Sequence, residues 1–263
     1  MNILAVGDIV GKVGLQKLKE VLPALKKDEK IDFVIVNAEN AADGMGLTEK
    51  MYKEVLAAGT DCITMGNHTW GKKEIFGFID DKPIIRPANY SRNVPGKGYD
   101  IYEVKGKKIC VINLIGRTSM TVLSDNPFTE AEDIIEKVKS TVDIIIIDFH
   151  AEASAEKIAL SYFLDGKATI IFGTHTHVQT ADSQIMEKGT AYITDIGMTG
   201  PLDGVIGTKA SIIVDRFVNK SQNVFEPEDT GDSQFNAIIL EIDDKSFKTV
   251  SIERINIVDK RKK

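Results

Sequence analysis

The chain has 263 residues, 43% hydrophobic and 27% charged, ordinary proportions for a globular protein that can bury a sizeable core. Its 39 acidic residues outnumber 33 basic ones for a net charge of −6, which excludes a general positive field for holding duplex nucleic acid. No charged segment followed by a long apolar core opens the chain, and the aliphatic run Ile144 to Ile147 is far too short to span a bilayer, so neither export nor membrane contact is expected.

In chain order, Ile3 to Val6 reads as a strand ending at Gly7-Asp8, and Leu15, Leu18, Val21, Leu22 and Leu25 place a helix over Val13 to Lys27. Ile31 to Val36 is a second strand, ending at Asn37-Ala38-Glu39-Asn40, and Thr48 is positioned to cap a helix running to about Ala58. Cys62 to Met65 is a short third strand before Gly66-Asn67-His68, with a helix expected over Lys72 to Ile79. Lys82 to Gly98, rich in Pro, Gly and Asn, reads as loop with one short strand. Tyr99 to Val104 and Lys108 to Leu114, joined through Lys105-Gly106-Lys107, form a hairpin pattern, and a helix follows from about Thr129 to Ser140. Val142 to Ile147 is a strand ending at Asp148-Phe149-His150. A helix over Ala153 to Leu164 then leads to the strand Ala168 to Phe172, which ends in Gly173-Thr174-His175-Thr176-His177. Beyond it, Ala191 to Thr194, Ala237 to Ile242 and Thr249 to Ile255 read as antiparallel β, and the basic stretch Asp259 to Lys263 as a frayed end. No repeat or linker divides the chain, so one domain over residues 1–263 is expected. Cys62 and Cys110 stand alone in apolar runs and read as buried free thiols, which suits a reducing, cytoplasmic compartment.

Five strand-like runs thus end in polar residues: Asp8, Glu39-Asn40, Asn67-His68, His150, and His175 with His177. Strand ends in α/β sheets deliver side chains from distant sequence to one crevice. A single carboxylate after a strand is more often a helix cap and a single histidine a packed side chain, but five such ends that use all four histidines point to one site. Carboxylate, imidazole and amide oxygen form a mixed ligand set for manganese, iron or zinc, and so many such groups serve two ions better than one.

These motifs, Gly7-Asp8-Ile9-Val10-Gly11, Asn37-Ala38-Glu39-Asn40, Gly66-Asn67-His68-Thr69-Trp70, Asp148-Phe149-His150-Ala151-Glu152 and Gly173-Thr174-His175-Thr176-His177, resemble those of the calcineurin-like metallophosphoesterases, and more narrowly the bacterial YmdB-type cyclic-nucleotide phosphodiesterases. Two departures from the wider superfamily, Val10 where a histidine is usual and Glu39 where an aspartate is usual, match the narrower group. The resemblance implies a four-layer αββα sandwich. It implies that Asp8, Glu39, Asn40 and His177 hold one ion, and that Asn67, His150 and His175 hold a second with Glu39 bridging. It implies that His68 gives a proton to the leaving oxygen, with iron or manganese as the metals, zinc as a further choice, and 2′,3′-cyclic nucleotides as substrates. Cyclic 3′,5′-AMP is a further candidate, and the family contains homo-oligomers.

Rival readings share the site. One is a phosphomonoesterase. Another is a regulatory protein that binds a nucleotide or an RNA-decay partner with little turnover. A ribonuclease is disfavoured by the absence of a basic stripe. Trp70 is read as packing in its own loop ahead of stacking on a base. Arg86 and Arg117 are read as surface salt-bridge formers ahead of phosphate contacts, and Ile196 to Pro201 as either pocket lining or a turn.

Overall fold

The computed structural model describes residues 1–259. Strand β1 (Asn2–Val6) leads through the short β2 (Asp8–Ile9) into helix α1 (Gly11–Asp28), and β3 (Phe33–Asn37) leads to α2 (Glu49–Ala57). The Thr48 hydroxyl caps α2 by accepting the Met51 N–H at 3.2 Å. Strands β4 (Cys62–Thr64) and β5 (Ile84–Ile85) precede the hairpin β6 (Tyr99–Val104) and β7 (Lys107–Ile115). Then come α3 (Pro127–Val138), β8 (Ile144–His150), α4 (Ser154–Leu164) and β9 (Ile170–Thr174). The remainder holds β10 (Gln184–Ile185), β11 (Ala191–Ile193), β12 (Met198–Pro201), α5 (Ala210–Asn219), and the long pair β13 (Ser233–Ile242) and β14 (Thr249–Asp259).

One sheet runs β2-β12-β13-β1-β3-β4-β5, with β14 also on β13, and the other runs β10-β11-β9-β8-β7-β6. The alternation of side chains along each strand explains the layering. On β1, Leu4 and Val6 face α1 and α2, where Leu15, Leu18, Leu22, Tyr52 and Val55 complete an outer core. Ile3 and Ala5 face the opposite way, into a core shared with Val111, Ile146, Ile170 and Phe172 of the second sheet. That sheet turns Ile112, Ile145, Ile147 and Ile171 outward onto Ala131, Ile134 and Ile135 of α3 and Leu160 and Leu164 of α4. The result is the expected αββα sandwich, each fully buried aliphatic side chain contributing about 1.5–3 kcal/mol. Both thiols are free and buried. Among the described residues no helix is long and apolar enough to cross a membrane.

Several local expectations are corrected. The helix expected over Lys72 to Ile79 is a 3-10 turn at Lys73–Gly77, its place fixed by Trp70 stacking on Phe76 at 4.8 Å. β11 pairs with β9 in parallel, so the last third is not uniformly antiparallel. It also contains α5, whose residues are nowhere buried and therefore show no core-facing stripe. Ile196 to Pro201 is neither pocket lining nor a turn at its end, because β12 is buried and pairs in parallel with β2 through Met198 and Asp8. Asp259 pairs with Ser233 at the end of β14; the rest of the expected frayed tail, residues 260–263, lies outside the described residues.

What fixes the segment after β9 is a buried ion pair. Lys157 of α4 is 1% exposed, and its ammonium donates to the Asp195 carboxylate at 2.8 Å and to the Thr174 carbonyl at 2.7 Å. Asp195 in turn accepts the Thr176 N–H at 3.1 Å and the Gly197 N–H at 2.8 Å. The turn so held puts His175 and His177 at φ 97° and 65°, a region that side-chain-bearing residues rarely adopt. Removing one partner strands the other as a buried charge. Lys157→Met is therefore expected to destabilise the fold by about 3–5 kcal/mol, read as a lowered urea midpoint at unchanged slope.

Candidate metal centre

All the site residues foreseen from sequence meet at the carboxyl ends of strands. Asp8 lies in β2, Glu39 and Asn40 follow β3, and Asn67 and His68 follow β4, all in the first sheet. His150 ends β8, and His175 and His177 follow β9, in the second. The site therefore straddles the seam between the two sheets.

The geometry falls into two groups that share Glu39. Around the His150 Nε2 stand Asn67 Oδ1 at 2.9 Å, Glu39 Oε1 at 3.1 Å and His175 Nδ1 at 3.1 Å. Glu39, His150 and His175 each bring a ligand atom within 4.8 Å of the others. In the second group, His177 Nε2 lies 3.9 Å from Asp8 Oδ1 and 3.1 Å from Asn40 Nδ2, and Asn40 Nδ2 is 3.2 Å from Glu39 Oε1. Asn40 thus turns its amide nitrogen toward the cluster, and its oxygen accepts from His68 Nδ1 at 2.7 Å, so to ligate an ion it has to rotate its amide. His68 is held again by its own N–H, which donates to Glu39 Oε2 at 2.7 Å.

These contacts leave more acceptors than hydrogens. One ring N–H at His150 cannot serve three acceptor atoms at once. Asp8 Oδ1 is buried without a hydrogen-bond partner, a costly state for a carboxylate. Burial above all pushes the Asp8 carboxyl up to about 6, against the pull of His177 and His150. Burial acts on Glu39 in the same sense, but the His150 charge and hydrogen bond, then His68, outweigh it and hold this carboxyl low. Burial lowers the His150 imidazole, and the Glu39 and Asp8 carboxylates outweigh it and raise it. His175 is pushed down to about 3, by burial and then by the His150 charge. A proton on His150 thus sits where several lone pairs converge, the place a metal cation would satisfy far better, and the oxygen and nitrogen donor set fits a first-row divalent ion.

Residues that sequence reasoning missed orient the histidines of the cluster. Thr174 donates its hydroxyl to Asp148 Oδ1 at 2.7 Å and so accepts from His150 Nδ1 at 2.9 Å, which leaves Nε2 for the cluster. Glu152 lies 3.2 Å from His175 Nε2, and the Ile206 carbonyl accepts from His177 Nδ1 at 2.8 Å. Asp148 and Glu152 flank His150 two residues away on either side, a spacing visible in the sequence; Ile206 left no signal there. Gly66 has a steric reason, because a Cβ at that position would stand 2.4 Å from the His150 ring. Trp70 packs between Phe76 and Tyr90, as favoured from sequence. Arg86 is a correction: it is buried and donates to the Pro87 carbonyl at 2.8 Å and the Pro95 carbonyl at 3.3 Å. Arg117 borders a separate surface groove beside Glu156. A cavity of about 410 Å³ opens over Glu39, Asn40, His68, His175 and His177.

The model of the YmdB-like protein family matches residues 4–255. The chain is 50% identical over 260 residues to the 2′,3′-cyclic-nucleotide 2′-phosphodiesterase of Bacillus subtilis (strain 168), covering 98% of each chain. Among solved structures, a novel phosphatase from Mycoplasma pneumoniae is 39% identical with a TM-score of 0.93, covering 98% of this chain and 93% of that one. A hypothetical protein from Thermus thermophilus is 35% identical, also at 0.93, covering 98% of this chain and 100% of that one. With its sandwich, its strand-end cluster of carboxylate, amide and imidazole groups and these relatives, the chain belongs to the YmdB-like family of metallophosphoesterases.

Proposed function

We propose that the chain hydrolyses 2′,3′-cyclic nucleotides, with 3′,5′-cyclic AMP as a second substrate, at two metal ions that share Glu39. The observation that carries this reading is the convergence of oxygen and nitrogen donors on both sides of Glu39, beside the cavity, with Asp8 Oδ1 buried and without a hydrogen-bond partner. The activity named for the Bacillus subtilis relative supports the substrate class. Asn67, His150, His175 and Glu39 would hold one ion, and Asp8, Asn40, His177 and Glu39 the other, with manganese or iron preferred by the oxygen-rich set and zinc as a further choice. Such ions acidify water and neutralise phosphate charge, which removes the penalty that a net-acidic protein would otherwise impose on an anionic substrate.

The protein's own residues supply the rest. Asp148 and Thr174, Glu152, and the Ile206 carbonyl fix which nitrogen each histidine presents. Hydrolysis joins a water oxygen to phosphorus and breaks one ring P–O bond, and the departing ribose oxygen needs a proton. His68 lines the cavity with Nδ1 already donating to Asn40, so Nε2 is the nitrogen that serves the substrate. A doubly protonated His68 gives its Nε2 proton to the ribose oxygen and is left as the Nδ1–H tautomer that Asn40 already accepts. Two buried free thiols fit the reducing cytoplasm as its place of work.

The test is hydrolysis of 2′,3′-cyclic AMP by protein loaded with manganese, iron or zinc. Turnover should vanish on chelation and return with metal. Glu39→Gln should lower kcat by more than about 100-fold, since even outer-sphere partners cost 10–100-fold; turnover close to the parent's sinks the shared-carboxylate reading. Thr174→Val should weaken metal affinity by about 10–100-fold, followed by metal titration against a competing chelator. His68→Asn should lower kcat on the cyclic ribonucleotide by about 100- to 10,000-fold. Its effect on a p-nitrophenyl diester should be far smaller, because that leaving group departs without a proton; equal losses on both esters would remove His68 as the donor.

A further inference from the structure

Beside the histidines, the cavity lining also holds an apolar set. It consists of Met45, Ile206, Ile213, Phe225 and Pro227, and all but Met45 come from one excursion of the chain between β12 and β13. Ile206 and Phe225 are 50% and 52% exposed, so these apolar groups face solvent at the mouth of a polar site. Clustered apolar exposure beside polar groups marks a surface that something covers.

The excursion is braced internally. Glu226 O accepts the Lys209 N–H at 3.0 Å, Gly207 O accepts the Glu228 N–H at 2.9 Å, and Thr208 bridges to Pro227. The Arg216 guanidinium lies over the Phe225 ring at 4.1 Å and donates to the Asn223 carbonyl at 3.3 Å. That contact holds the aromatic ring at the cavity edge. Ile206 has φ 45°, a strained conformation for a β-branched residue, and its carbonyl is the one that accepts from His177. Strain of this kind persists where the surroundings over-determine it, and here it joins the apolar wall directly to the metal-facing histidine.

We infer that this wall is the nucleobase site, with Phe225, backed by Arg216, as its stacking platform. The inference rests on the phosphodiesterase reading above and adds how the substrate's other end is recognised. A nucleotide whose phosphate lies at the histidines has its base within the same cavity, whose volume of about 410 Å³ is ample for a small ligand. Met, Ile, Phe and Pro side chains offer contact area and no conventional hydrogen-bond donor, so the wall reads a flat heterocycle by its face. Purines, with more area to stack, are therefore held more strongly by this wall than pyrimidines.

The test compares metal-loaded parent, Phe225→Ala and Phe225→Trp on 2′,3′-cyclic AMP and on methyl riboside 2′,3′-cyclic phosphate, which has the ring phosphate and no base. Phe225→Ala should raise KM for the nucleotide by about 5- to 150-fold, the equivalent of one lost stacking contact. The base-free ester should respond far less, and Phe225→Trp should restore the nucleotide's KM. Equal changes on both esters, or none on either, overturn the assignment. Calorimetric binding of AMP to parent and Phe225→Ala separates the two levels of the argument. A parent that turns over neither ester sinks the phosphodiesterase reading, and AMP binding weakened by Phe225→Ala would still locate the base. AMP binding that ignores Phe225→Ala sinks the wall.

Discussion

The structure depends on a lysine and an aspartate that never meet water. Lys157 and Asp195 tie together α4, the end of β9 and the entry to β12, and they do so with hydrogen bonds to backbone groups on either side of His175. A buried ion pair is weak evidence for added stability, since desolvation opposes attraction. Its better-attested use is to specify one arrangement among several. That use fits here, because the arrangement specified contains two histidines in left-handed backbone that an unsupported loop would abandon.

From that constraint the electrostatics follow. With His175 and His177 held in place, nitrogen and carboxylate lone pairs crowd a space with too few protons, and burial denies them water. The opposite shifts of Asp8 and Glu39 express the same crowding. Glu39 sits against the charged His150 and stays ionised. Asp8 is buried as deeply but with weaker compensation, so its carboxyl rises. The first sheet delivers Asp8, Glu39, Asn40 and Asn67 and the second the three histidines, and the packing of the sheets across Ile3, Ala5, Ile146 and Phe172 sets the distance between the two sets.

How much of this was legible beforehand depended on whether the signal was local. β-branched runs ending in Gly or a polar residue located β1, β3, β4, β8 and β9, and with them every side chain of the central cluster. Thr48 announced α2 correctly, since capping is a contact between near neighbours. α5 was missed although Ile212, Ile213, Phe217 and Val218 give it an apolar pattern, and none of its residues is buried. β12 escaped because four residues with two small ones carry no strand pattern, and their order comes from pairing with β2. Asp148 was visible as a carboxylate inside an aliphatic run, an expensive placement that demanded a partner. Naming Thr174 as that partner required the register between β8 and β9, which places His150 beside Thr174. Lys157 and Arg86 look like surface cations in sequence and are buried, because backbone carbonyls 17 and one residue away receive them.

The placement of all four histidines in one cluster has a spectroscopic consequence. Every imidazole resonance of this protein arises from the site, with no structural histidine elsewhere to obscure it. Each ring also has its own partner through one nitrogen: Asn40, Thr174, Glu152 or Ile206. The four signals are therefore inequivalent by construction. In a protein of this size, a handful of lines in an otherwise sparse spectral region report proton, metal and ligand together.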